Sequence, residues 1–386
     1  MQRAASLCVA LTLLGAGYAT AQQAPVRAAP DLLDTSRPAE LGLKPAPGTQ
    51  TFTVFRATEQ SYQYNHGAVP FAFNGKLYVQ WQSSRADEDA PETEVRYAMS
   101  VDGKHWSDAI ILERPRADAA VTNGGWWAYG DTLVAYINVW PHDLEPRGGY
   151  VEYRTSKDGV HWSAAKPVLN DQGEPLAGIM EQDIRALPDG RLVSAVHQQP
   201  GLTLKPYFTD DATGRSDWQA GKISNLPHSG SVTRELEPSW YRRGNELVMI
   251  FRDQGSSFRL LAATSSDRAE SWSTSVITNY PDSRAKQSAG NLPDGTAFIV
   301  NNPSGRKARF PLVLSTSADG ELFDRAWLLR AGGEALPAQK YDGRYKRVGY
   351  SYPKSTLFEG YVYTAYATGK EDIDITRVPV TSLQYE

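Results

Sequence analysis

Cysteine is almost missing from this chain. The single one, Cys8, falls inside the opening stretch "MQRAASLCVALTLLGAGYATA". That stretch has Arg3 at its start, a short apolar segment, and Ala19-Thr20-Ala21 before "QQAP". This is the pattern of a secretory signal peptide over residues 1–21, cleaved after Ala21 and too short to span a bilayer. Cys8 comes too early, with too little apolar sequence before it, to read as a lipoprotein anchor. The mature chain is therefore expected to be periplasmic or secreted and to carry no thiol. Disulfides and cysteine chemistry are excluded, so the fold must be held by its core alone.

Other absences narrow the function further. After the leader, no apolar run reaches bilayer length, so no membrane insertion is expected. Basic charge is not in excess. Without Arg3, 39 basic residues face 44 acidic ones, a net charge of about −5, which disfavours nucleic acid as a partner. Histidine is scarce, six in all, and no His/carboxylate cluster has ligand spacing, so no metal is expected. A serine nucleophile elbow, a phosphate-binding loop, a dinucleotide fingerprint and HExxH are all lacking, and no cofactor is expected. Helical periodicity is also nearly absent.

What the chain has instead is a repeated hairpin. "FNGKLYVQW" (73–81) is echoed by "YGDTLVAYI" (129–137), "PDGRLVSAV" (188–196), "RGNELVMIF" (243–251), "PDGTAFIVN" (293–301) and "FEGYVYTAY" (358–366). Each copy has Gly-containing turn chemistry followed by an alternating apolar strand. Their glycines, at 75, 130, 190, 244, 295 and 360, recur every 51 to 65 residues. In phase with them run "SVDGKHW" (100–106) and "SKDGVHW" (156–162), degraded copies "SSDRAESW" (265–272) and "SADGELF" (317–323), and "FTDDATGRSDW" (208–218) where a fifth copy falls due. In such a turn the Asp can cap backbone N–H groups, Gly accepts a positive φ, and the aromatic plugs the sheet. Six units of about 55 residues predict an all-β fold, a six-bladed β-propeller of four-stranded antiparallel blades. It is expected over residues 51–386, preceded by a Pro/Ala-rich strap over 22–50. A single such domain predicts a monomer.

The "SxDGxxW" turns resemble the Asp-boxes (BNR repeats) of the sialidase, or neuraminidase, superfamily, whose members are six-bladed propellers. The resemblance runs from about residue 51 to the C-terminus and marks fold rather than function. "ELEPSWYRRGNELVMIFRD" (235–253) resembles that family's fourth blade. There Glu237 matches the residue that activates a tyrosine nucleophile, and Arg252 one of three carboxylate-binding arginines. "RFPLVLSTSADG" puts Arg309 at another arginine position, and "GYSYPKSTLFEG" puts Tyr350 at the nucleophile position. Two positions depart from the pattern. Asn65-His66 stands where the first arginine is expected, and Asn123 where the acid/base Asp is expected.

Strand direction also gathers residues without the family. In an antiparallel blade, the start of the first strand, the end of the second and the start of the third share one face. That face collects His66, Asn123, Gln182, Glu237, Tyr350 or Tyr352, His197, Arg252, Arg309 and Arg96. A polar pocket at the central mouth follows, with Trp126, Trp81 and Trp127 as candidate sugar-stacking platforms. His66 is a candidate acid/base or recognition group. The acidic loop "RADEDAPETE" (85–94) offers Asp87, Glu88 or Asp89 in place of the missing Asp.

These residues point to an exported exo-glycoside hydrolase that removes a terminal carboxylate-bearing sugar from a glycan. Arg252 and Arg309 would hold the carboxylate, and Tyr350 with Glu237 would form the nucleophilic pair. Two alternatives remain open. One is a polysaccharide lyase, in which His66 removes a proton beside a uronic carboxylate and a tyrosine protonates the leaving oxygen, as in propeller-fold polysaccharide lyases. The other is a glycan-binding propeller without catalysis.

Overall fold

The computed structural model describes residues 24–88 and 90–385; the leader expected over 1–21 and the candidate acid Asp89 lie outside them. The repeated hairpins form six antiparallel sheets, the blades, arranged in chain order. Blade one is Tyr64–Phe73, Lys76–Ser84, Glu94–Ser100 and Ile110–Glu113. Blades two to five follow the same meander, their innermost strands beginning at Ala119, Gly178, Glu235 and Ser288. In blade six, Tyr350–Phe358, Tyr361–Thr368 and Asp372–Pro379 are completed by an outer strand from the other end of the chain. Gln50–Phe55 pairs antiparallel with Asp372–Pro379, from Gln50 opposite Arg377 to Phe55 opposite Ile373. This pairing closes the ring and removes the free sheet edge an open array would leave.

The Pro/Ala-rich strap is partly embedded. Arg27–Ala28 pairs in parallel with Leu322–Phe323 of blade five, and Val26, Ala28 and Leu32 are buried in the apolar seam between blades four and five.

The Asp-box turns knit neighbouring blades. Asp102 Oδ1 accepts the backbone N–H groups of Lys104 (2.8 Å) and His105 (2.9 Å), and Asp158 Oδ1 those of Val160 and His161 (2.8 Å each). Gly159 takes φ +74°, and a Cβ there would stand 2.2 Å from the Tyr78 hydroxyl of the preceding blade. Tyr97 donates to the Gly159 carbonyl at 2.9 Å, and Tyr136 and Tyr241 likewise reach the Gly214 and Gly320 carbonyls of their next blades. The box glycine thus leaves room for a tyrosine of the preceding blade, Tyr78 at Gly159 and Tyr136 at Gly214, while its carbonyl satisfies a buried tyrosine hydroxyl.

Most innermost strands break register where they reach the central mouth. Irregularities fall between His66 and Val69, Asn123 and Gly125, Leu236 and Ser239, and Ser351 and Lys354. Blade three is interrupted outright: Gly178–Met180 and Arg185–Ala186 both pair with Leu192–Gln198, leaving residues 181–184 looped between them. A bulge leaves one residue unpaired and re-aims its side chain. Here four bulges and one interrupted strand aim side chains at one place.

Candidate active site

The bulges converge on a cavity of about 230 Å3 whose lining includes His66, Glu88, Asn123, Glu181, Gln182, His197, Glu237, Lys286 and Tyr352. Asp183, Lys354 and Arg185 line a separate, smaller pocket that shares Gln182 with it. Lys354 Nζ lies 3.4 Å from Asp183 Oδ2, and Arg185 Nε 3.0 Å from Asp183 Oδ1.

At the centre, Arg252 Nη1 donates to Glu237 Oε2 at 2.9 Å and to the Tyr352 hydroxyl oxygen at 3.1 Å. Its Nη2 donates to Gln254 Oε1 at 2.8 Å. Glu237 and Tyr352 both adopt left-handed backbone, φ +51° and +58°, each just before a proline. Non-glycine residues held there are strained, and such strain persists where the surrounding structure over-determines it. Burial alone would raise the Glu237 carboxyl, but Arg252, Lys286 and a hydrogen bond from Tyr352 hold it below its ordinary value. Burial and Glu237 push the Tyr352 phenol far above its ordinary value, against the pull of Arg252 and Arg309.

Tyr350 does not share this site. It is fully buried among Tyr366, Leu312 and Leu314, and its hydroxyl donates to the Ala331 carbonyl at 2.9 Å. The bulge between Ser351 and Lys354 explains the two-residue displacement. It turns Tyr352 inward, where uninterrupted alternation carries Tyr350 into the core.

His66 is 2% exposed, and neither ring nitrogen has a hydrogen-bond partner. Its ring lies 4.2 Å from that of Tyr352. Burial, followed by the charges of Lys370, Arg309 and Lys286, keeps its pKa well below the usual imidazole range, so the ring is neutral. Opposite, His197 Nδ1 lies 3.1 Å from Glu181 Oε1, and Lys286 Nζ bonds Glu181 Oε2 (2.9 Å) and Gln182 Oε1 (3.0 Å). Burial would raise the Glu181 carboxyl, yet Lys286 and His197 outweigh it and keep it ionised. Asn123 donates to the Gly67 carbonyl at 2.6 Å and leaves its Oδ1 unpartnered.

Several expected site residues lie elsewhere. Trp126 is buried between blades one and two, donating to the Val69 carbonyl at 3.1 Å amid Tyr78, Tyr97 and Trp162. Trp81 is likewise fully buried, and Trp127 bonds the Ala212 carbonyl away from the mouth. All three pack because their strand positions alternate into inter-blade seams. Arg96 is paired with Glu94 and stacks 5.3 Å over Tyr62, outside the cavity lining. The tryptophan lining the pocket is Trp140, with the Arg147 guanidinium 4.6 Å over its ring. Of the acidic loop, Glu88 reaches the cavity, paired with Lys370 Nζ at 2.8 Å, while Asp87 caps the Arg344 backbone N–H. Burial lowers the Lys370 ammonium to about 8 despite Glu88.

Arg309 stands 4.8 Å over the Tyr352 ring. With Arg252 it opens onto a second cavity, of about 360 Å3, lined also by Ser283, Arg284, Lys307, Ala308, Phe310, Arg347 and Val348. Sequence reasoning missed Lys286, Arg284, Lys307 and Arg347 because they sit in segments between strands. The basic runs "SGRKARF" and "GRYKR" were the available signal.

Residues 75–364 match the model of the BNR repeat-like domain. The chain belongs to this family. As a BNR repeat-like propeller it superposes on solved structures of low identity. One is titled a sialidase, 17% identical with a TM-score of 0.61, covering 92% of this chain and 35% of that one. Another is a Hadza microbial sialidase, 14% identical with a TM-score of 0.69, covering 87% and 69%. A third is a protein of unknown function from Dyadobacter fermentans, 15% identical with a TM-score of 0.65, covering 86% and 99%. This chain thus spans about a third of the first sialidase's length. Comparison with curated proteins gives no match. At these identities the likeness establishes the six-bladed propeller and nothing finer.

Proposed function

We propose that this propeller is an exported exo-glycoside hydrolase acting on a terminal carboxylate-bearing sugar, with Tyr352 rather than Tyr350 as nucleophile. The observation that carries it is the single Nη1 of Arg252, a residue lining the second cavity, shared by Glu237 and the Tyr352 hydroxyl of the first. Tyr352 is protonated at rest, so its proton passes to Glu237 as the phenolic oxygen attacks the anomeric carbon. In the empty site Arg252 restrains Glu237 as a base. A substrate carboxylate drawing on Arg252 and Arg309 weakens that restraint and makes Glu237 more basic when substrate is in place. Glu88 stands in place of the Asp absent from blade two, and the proton for the leaving oxygen comes from the Lys370 ammonium paired with it. Neutral His66, stacked on Tyr352, and the unpartnered nitrogen of His197 offer hydrogen bonds to sugar hydroxyls. Trp140 is the stacking surface.

Anti elimination is disfavoured by the same geometry. His66 and Tyr352 lie ring to ring on one wall, whereas anti elimination from a uronic acid needs its base and its acid on opposite faces of the ring. Incubation with a panel of glycans ending in acidic sugars, following both monosaccharide release and ultraviolet absorbance of an unsaturated product, tests this. Released monosaccharide with flat absorbance is expected; rising absorbance without it would reverse the assignment.

A further inference from the structure

The second cavity holds more positive charge than one carboxylate can use. Arg252, Arg284, Arg309, Lys307 and Arg347 line it, and no acidic side chain does. Among the described residues, Arg284, Arg309, Lys307 and Arg347 enter no side-chain ion pair. The buried Arg252 Nε, Arg284 Nε and Arg309 Nη1 have no hydrogen-bond partner. Arg284 is held at φ +60°.

A carboxylate has two oxygens and about four acceptor sites. Arg252 and Arg309 alone present more donors than that, even after Glu237, Tyr352 and Gln254 take their share. Clustered cations repel one another, and the buried Arg252 Nε, Arg284 Nε and Arg309 Nη1 cost free energy while unpaired, so an unneutralised group of this size points to a ligand. The cations are also graded in depth. Arg252 and Arg309 flank Tyr352, Arg284 is half-buried beyond them, and Lys307 and Arg347 are exposed at the rim.

We infer that Arg284, Lys307 and Arg347 form a second anion subsite, and that the preferred substrate carries two anionic groups. One is the carboxylate at Arg252 and Arg309; the other, a sulfate ester or second carboxylate, lies farther out on the glycan. This inference rests on the hydrolase reading for the placement of the first carboxylate. Calorimetry on the Tyr352→Phe variant reads it without turnover, using three probes at fixed ionic strength. These are a disaccharide ending in one uronic acid, its O-sulfated form and a disaccharide of two uronic acids.

At least one dianion should bind about tenfold more tightly than the monoanion, and which one identifies the second group. The Lys307→Gln/Arg347→Gln double substitution, confined to exposed side chains, should reduce that advantage to about twofold while leaving monoanion binding within about twofold. Equal affinity for all three probes would overturn the inference, as would an advantage that survives the double substitution. Absence of turnover in the wild type with the dianion preference intact would instead sink the hydrolase reading alone.

Discussion

At the level of single residues, the site is a set of buried charges whose ionisation is set by neighbours. His66 has a folded-state pKa depressed by burial and by three cations. The unfolded chain therefore binds more protons than the folded one below about pH 6.5, and stability contributed by neutral His66 is lost as pH falls through that value. Replacing His66 by Gln should flatten the fall in melting temperature between about pH 7 and pH 5, which melts at stepped pH would read directly. An unchanged slope would mean other groups dominate acid destabilisation. Much of this residue set was legible beforehand. Glu237, Arg252, Arg309, His66, Asn123, Gln182 and His197 were placed by strand direction, and all seven line one of the two cavities. Strand direction leaves Tyr350 and Tyr352 as alternatives, and the family resemblance selected Tyr350, which the bulge between Ser351 and Lys354 leaves in the core. The parallel between "Glu-Pro" at 237–238 and "Tyr-Pro" at 352–353 was the overlooked cue, since both left-handed residues precede a proline on an inner strand. Lys286 had no such cue, because an inter-blade segment has no period to fix its direction.

At the level of the strand, the bulges turn a structural repeat into a site. Gly67 takes φ +69° immediately after His66, and a Cβ there would lie 3.3 Å from Asn123 Oδ1 and 3.4 Å from Gln182 Nε2. Gly67→Ala should cost roughly 1–2 kcal/mol in chemical denaturation from the left-handed backbone alone. By displacing His66 from Tyr352 it should also lower turnover. A variant of wild-type stability and activity would show that the bulge tolerates a side chain and does not position the histidine. The hairpins and Asp-boxes were readable because turn chemistry is local. The bulges were not, since a bulge arises from how neighbouring strands pair at the axis. Trp126 illustrates the same limit: an indole suits a sugar platform and an inter-blade seam equally, and only the packing tells them apart.

For the whole molecule, closure of the ring is the structural commitment. Gln50–Phe55 follows directly on the strap in sequence yet belongs in space to the last blade, joining two distant stretches of the chain in one sheet. Deleting residues through Phe55 should therefore cost far more than the loss of one edge strand. It exposes the outer edge of Asp372–Pro379 and uncovers the apolar side chains of the seam that Phe52 and Val54 pack against, among them Ile373 and Ile375. Aggregation or loss of cooperative melting is expected. A soluble variant with a single sharp transition would show that blade six is self-sufficient. The six-fold repeat was visible in the sequence, whereas the partner of its last strand was not. A lone alternating strand such as "QTFTVF" carries no mark of the sheet it will join.

The central claim is that Tyr352 attacks the sugar. Quenching the enzyme in denaturant during turnover of an activated acidic-sugar glycoside, followed by peptide mass mapping, tests it most directly. The account predicts a glycosyl adduct on the peptide containing Tyr352, located by fragmentation to Tyr352 itself and absent from the Tyr352→Phe variant. Sustained turnover by Tyr352→Phe, or an adduct located to Tyr350 or any other side chain, would contradict it.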